Sequence, residues 1–146
     1  MKNNLSRILA IVAIALTAVC AAPAPAAAQD AYKGRFTLTN EVRWSQALLP
    51  AGEYTFSLKS AAFPAQVLIH GPNGFAMVLT SATETKNSDA PSSITLERRG
   101  GMRVVSDLYL AELGIDFRYA APKLPHNEIA QGPRDTERVL IAMATK

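Results

Sequence analysis

From Arg35 onward the chain alternates between apolar and polar positions. Phe36 and Leu38 are separated by Thr37, Val42 and Trp44 by Arg43, and Tyr54, Phe56 and Leu58 interleave with Thr55, Ser57 and Lys59. A period of two sends successive side chains to opposite faces, so each segment predicts a strand with one buried face and one wet face. Thr39-Asn40-Glu41 separates the first two segments, and a three-residue loop there sets Leu38 opposite Val42 and Phe36 opposite Trp44 in a hairpin. Leu49-Pro50-Ala51-Gly52 interrupts the pattern with proline at the second corner of a type I turn and glycine at the fourth. Residues 66–70 and 75–80 flank a second such turn, Gly71-Pro72-Asn73-Gly74, and predict another hairpin.

Residues 86–93 are polar and aperiodic, as a surface loop is. Strands at 94–98 and 102–111 meet at Arg99-Gly100-Gly101. A three-residue loop ending in a left-handed glycine pairs Leu96 with Val104, and a tighter Gly-Gly turn is the other solution. Ile115, Phe117 and Tyr119 alternate with Asp116 and Arg118 after the turn Glu112-Leu113-Gly114. Residues 121–135 form an irregular Pro/Gly segment. The end, 136–144, is a last strand carrying Val139, Ile141 and Met143 on one face, or else a short helix; a strand would protect a sheet edge. Short strands with turn signals between them make the fold all-β: a single antiparallel β-sandwich or small barrel of roughly eight strands, preceded by a signal-peptide helix.

That leader is read from the first 28 residues. Met1 to Arg7 carry two cations and no acid, and residues 8–20 form an apolar run shorter than the roughly 20 residues that span a bilayer. Small residues and prolines follow, ending in an Ala-x-Ala pattern. This is the build of a secretory signal cut after Ala28, leaving residues 29–146 as one β domain with no integral membrane segment, in the periplasm or outside the cell. The alternative is a lipoprotein anchored through Cys20, but Thr17-Ala18-Val19 lacks the Leu-like first and small last residues of a lipobox.

Cleavage changes the charge balance. Lys2 and Arg7 leave with the leader, so 13 cations face 12 acids and the mature chain is near neutral at +1. Without a basic run longer than Arg98-Arg99, the footprint of a nucleic-acid binder is missing. Cys20, the single cysteine, also leaves, so packing rather than disulfides must hold the domain.

Groups that carry chemistry are sparse. His70 and His126 lie too far apart in the sequence to give a metal-ligand spacing, and both read as solvated histidines. No Gly-x-Ser-x-Gly elbow and no mature thiol offers a nucleophile. Glu112 and Asp116 are the nearest approach to a hydrolase's paired carboxylates, but they flank a glycine turn. Asn87 and Asp89 supply oxygens suited to calcium without the spaced acidic ladder of a calcium loop. No catalytic residue, metal or cofactor is therefore assigned.

Most aromatics occupy the buried phase of their strands and suit core packing better than a ligand platform. Tyr109 shares its phase with Asp107 and Arg103 and is the aromatic expected at the surface. Trp44, Tyr109 and Arg103 are the candidate contact residues, for a protein, a glycan or a small apolar ligand.

The run Leu49-Pro50-Ala51-Gly52-Glu53-Tyr54-Thr55-Phe56 resembles a Leu-Pro-Ala-Gly-x-Tyr-x-Phe/Val signature that recurs in small exported bacterial β-domain proteins. The similarity extends from Gly34 through Pro122. It implies export and a β fold and brings no activity with it. The expectation is a non-catalytic exported β domain acting in envelope interactions or structure; the alternative is a barrel carrier whose apolar face, at Phe36, Trp44, Phe56 and Phe117, lines a cavity for a small molecule or lipid.

Overall fold

The computed structural model describes residues 32–123 and 135–144. The leader with Cys20, and the part of the Pro/Gly segment that includes His126, lie outside them. Within the described residues there are twelve strands and no helix: β1 (Tyr32–Leu38), β2 (Val42–Trp44), β3 (Ala47–Leu49), β4 (Gly52–Leu58), β5 (Gln66–Gly71), β6 (Gly74–Leu79), β7 (Ala82–Thr85), β8 (Ser93–Arg99), β9 (Met102–Leu110), β10 (Ile115–Arg118), β11 (Thr136–Leu140) and β12 (Ala142–Met143). They form two sheets. The first runs β12-β1-β4-β5-β6; the second runs β11-β8-β9-β10-β7, with β2 joined to β9 and β3 to β2. Every pairing is antiparallel except β2 with β9. Neither sheet closes on itself among these residues, so the architecture is a sandwich and not a barrel.

The core lies between the sheets, where the alternation places it. Phe36, Tyr54, Phe56 and Leu58 of the first sheet meet Val42, Trp44, Ile94, Leu108 and Phe117 of the second in one cluster. Trp44, Phe56 and Phe117 are fully buried, and each such side chain contributes about 1.5–3 kcal/mol on leaving water. The strand count exceeds the eight or so expected. β3 is apolar throughout and β7 is exposed throughout, so neither shows an alternating period, and the last segment is two strands: Ile141 is buried at a switch point, with β11 on the edge of the second sheet and β12 on the edge of the first.

The expected hairpin between β1 and β2 does not form. All four apolar residues are buried as predicted, but β1 pairs with β4 and β12, whereas β2 pairs with β3 and β9. Thr39-Asn40-Glu41 carries the chain from one sheet to the other. Phe36 and Trp44 thus meet across the core, their ring centroids 5.9 Å apart and tilted by 58°. Alternation states which face is buried; the partner strand depends on residues far along the chain.

Pro50 and Ala51 are likewise a crossover, from β3 in the second sheet to β4 in the first. Tyr54 locks it: its hydroxyl donates to the Pro50 carbonyl at 2.7 Å, and its ring lies over Gly71, where an added Cβ would fall 2.1 Å from Cε1. Gly52 has φ +155°, and a Cβ there would come within 3.3 Å of the Pro72 ring. The Leu-Pro-Ala-Gly-x-Tyr run is a fastening between two turns. The predicted β5–β6 hairpin is present, with Gly71 opposite Gly74. Between β8 and β9 the tight Gly-Gly turn is the one adopted: Arg99 faces Met102 and both glycines have positive φ.

Candidate functional site

The three residues singled out from the sequence do not come together. Trp44 is 0 % exposed in the core, edge-on to Tyr119 at 5.3 Å. Burial holds the Tyr119 hydroxyl well above its usual pKa range, partly offset by its neighbour Trp44. Tyr109, expected at the surface, is 5 % exposed, because the loop after β7 folds over it. Its hydroxyl donates to the Ser88 carbonyl at 2.8 Å, and the Lys86 ammonium stands 5.5 Å from its ring centre.

Arg103 does not share a face with Tyr109. Thr95 pairs with Asp107 and Leu96 with Val105, so Ser106 is an extra residue in β9. This bulge inverts the alternation between Arg103 and Tyr109. Arg103 instead pairs with Glu137 at 3.2 Å.

The paired carboxylates fare no better. Glu112 is exposed in the turn at residues 111–114, whereas Asp116 is 7 % exposed beneath Lys86, whose ammonium is 3.9 Å from Oδ2. Oδ1 of Asp116 has no hydrogen-bond partner among the described residues. Burial pushes its pKa up, Asp107 adds to this, Lys86 and Arg118 oppose it, and Glu84 adds further. Asn87 and Asp89 are exposed in the loop, and no metal-binding cluster occurs among the described residues. Phe36, Trp44, Phe56 and Phe117, the proposed lining of an interior cavity, are each 2 % exposed or less and occupy the core themselves. Phe36 is in ring contact with Trp44, Tyr54 and Phe56.

The two outer faces differ in kind. On the second sheet Arg118 bonds Glu84 and lies 3.8 Å from Asp107, and Arg99 bonds Glu97 at 2.8 Å. On the first sheet Arg35 has no ion-pair partner among the described residues.

Register aligns Ala142, Arg35, Thr55, His70 and Phe75 in one row across all five strands, and Lys33, Ser57, Leu68 and Met77 in the next. His70 and Phe75 confirm the shared face, with ring centroids 6.3 Å apart. Both rows run from a cation on β1, over a hydroxyl on β4, to a large apolar side chain on β6. A groove of about 450 Å³ opens over the β12, β1 and β4 part of these rows, lined by Lys33, Arg35, Thr55, Ser57 and Met143 and reaching His70 on β5; Leu68 and the side chains of β6 lie outside it. A neighbouring hollow of about 360 Å³ shares Arg35, Thr55 and His70 and reaches Glu53.

Beside the groove, β6 is an edge strand whose outward residues are apolar. Phe75 is 75 % exposed, Met77 54 % and Leu79 53 %. Isolated exposed apolar residues are ordinary; three in register on one strand form a patch. The sequence carried one sign of this. Residues 75–79, Phe-Ala-Met-Val-Leu, are apolar in both phases, which means either two covered faces or one apolar face left open. Val78 is the buried phase and Phe75, Met77 and Leu79 are the open one. No protein-family model, curated protein or solved structure matches the chain.

Proposed function

We propose that the protein is an exported, non-catalytic β-sandwich that acts by binding at the bacterial envelope through the outer face of its first sheet. The observation that carries this reading is the row Phe75, Met77 and Leu79, left exposed on an edge strand beside a groove walled by Arg35, Lys33 and His70. Exposing three large apolar side chains in a row invites association and forgoes the charges that usually protect a sheet edge, so a covering partner accounts for them. Export is supported by the basic head, short apolar run and Ala-x-Ala ending of the first 28 residues, and by the resemblance of the Leu-Pro-Ala-Gly-x-Tyr run to exported β-domain proteins. The separation of Glu112, exposed in its turn, from the buried Asp116 supports a binding role over a hydrolytic one.

Cell fractionation followed by sedimentation of purified protein with isolated envelopes tests this. The expected result is a processed chain beginning at Gln29 in the exported fraction, retained on envelopes, with retention lost in Phe75→Ser and Met77→Ser while melting temperature stays within a degree or two. Cytoplasmic retention of the intact chain, or envelope binding indifferent to both substitutions, would overturn the reading.

A further inference from the structure

The groove's two rows have a direction. Read from β1 to β6 they pass from Arg35 and Lys33, over the hydroxyls of Thr55 and Ser57, past His70 and Leu68, to Phe75 and Met77. Three strand spacings separate the cationic end from the apolar end, about 14 Å. We propose that this face binds an anionic amphiphile as a monomer, its acidic head in the groove at Arg35, Thr55 and Ser57 and its unbranched apolar chain beyond the groove, across the open surface of Leu68 and Met77 toward Leu79. The inference rests on the reading of this face as the binding face and names its ligand class.

Charge complementarity is the argument. Arg35 lines the groove and has no ion-pair partner among the described residues, so its charge is open to a ligand there. The one acid on this face among the described residues, Glu53, lies in the row beyond, opposite Thr37, and lines the neighbouring hollow. An acidic head is therefore best placed on the Lys33 side of Arg35, over Ser57. Ser57 is 6 % exposed although its side chain points outward, so it forms a floor where a hydroxyl can donate to a desolvated head. A wholly apolar ligand would strip water from Arg35 without replacing it, and a bare anion would leave the apolar row uncovered. Only a molecule with both parts satisfies both ends.

Isothermal titration and native mass spectrometry with dodecyl phosphate, dodecyl maltoside and inorganic phosphate, all below micelle-forming concentrations, test the proposal. Dodecyl phosphate should bind one to one, and the neutral detergent and the chainless anion about tenfold or more weaker. Arg35→Gln and Met77→Ser should each weaken dodecyl phosphate about tenfold with unchanged melting. Equal binding of dodecyl maltoside, indifference to either substitution, or sedimentation with anionic vesicles without monomer binding would each overturn it. If envelope retention still depends on Phe75 and Met77 while no amphiphile binds, this assignment fails and the binding face stands. If retention fails as well, both fail.

Discussion

Asp116 and Tyr54 show how individual residues set the domain's stability. The Asp116 carboxyl is buried with one oxygen unpartnered, and its pKa is raised by burial and by Asp107. A raised acid binds its proton more tightly in the folded state. Between the ordinary carboxylate range and the raised value the folded protein therefore holds more protons than the unfolded chain, and stability rises as pH falls through that window. Asp116→Asn should melt higher than the parent at pH 7, with the gap closing below the ordinary carboxylate range; thermal melts across pH check this. Its ion pair with Lys86 is long and half exposed, so its loss subtracts little. Tyr54→Phe keeps the ring over Gly71 and removes the bond to the Pro50 carbonyl. Urea unfolding should show a loss of about 1 kcal/mol, with the fold intact.

At the scale of elements, β9 holds the decisive irregularity. Val105 on one side and Leu108 and Leu110 on the other all join the core, because Ser106 resets the phase between them. The Ser106 hydroxyl has two acceptors for its one proton, the Asp107 carboxylate at 2.7 Å and the Thr95 carbonyl at 3.2 Å. Ser106→Ala removes only these bonds and should cost about 1 kcal/mol. Deleting Ser106 restores strict alternation and drives Leu108 and Leu110 to the wrong face or Val105 out of the core, so the urea midpoint should collapse. Comparing the two variants separates the residue's chemistry from its place in the count. The same bulge explains why Arg103 and Tyr109 looked like neighbours in the sequence: parity was counted through a residue that breaks it. The strands themselves were legible wherever four or more alternating residues ran together, as in β1, β4 and β10. They were not legible in β3, which is apolar throughout, or in β7, whose four residues are all exposed and show no buried phase.

For the whole molecule, the C-terminal segment ties the two sheets together. Ile141 is 8 % exposed between β11 and β12 and reaches the position where a Cβ on Gly34 would stand, with its Cγ2 2.8 Å away. Ile141→Ala should cost about 2 kcal/mol or more by leaving a cavity at this junction. Hydrogen exchange should accelerate at the Ala144 N–H, which bonds the Lys33 carbonyl at 2.9 Å. The sequence alone determined the buried face of β1, β2 and β4, because a half-buried strand repeats every two residues whatever its neighbours are. It determined where the Pro72-Asn73 hairpin turns, because that turn is local chemistry. Partner strands were decided only in three dimensions: Thr39-Asn40-Glu41 and Pro50-Ala51 serve equally as hairpin loops or crossovers until distant strands compete for the same edges. The candidate binding face was decided there too. Arg35, Ser57, Leu68 and Met77 each read as an unremarkable strand residue, and they become one face with a cationic groove at one end and apolar side chains at the other only when register sets β1, β4, β5 and β6 side by side.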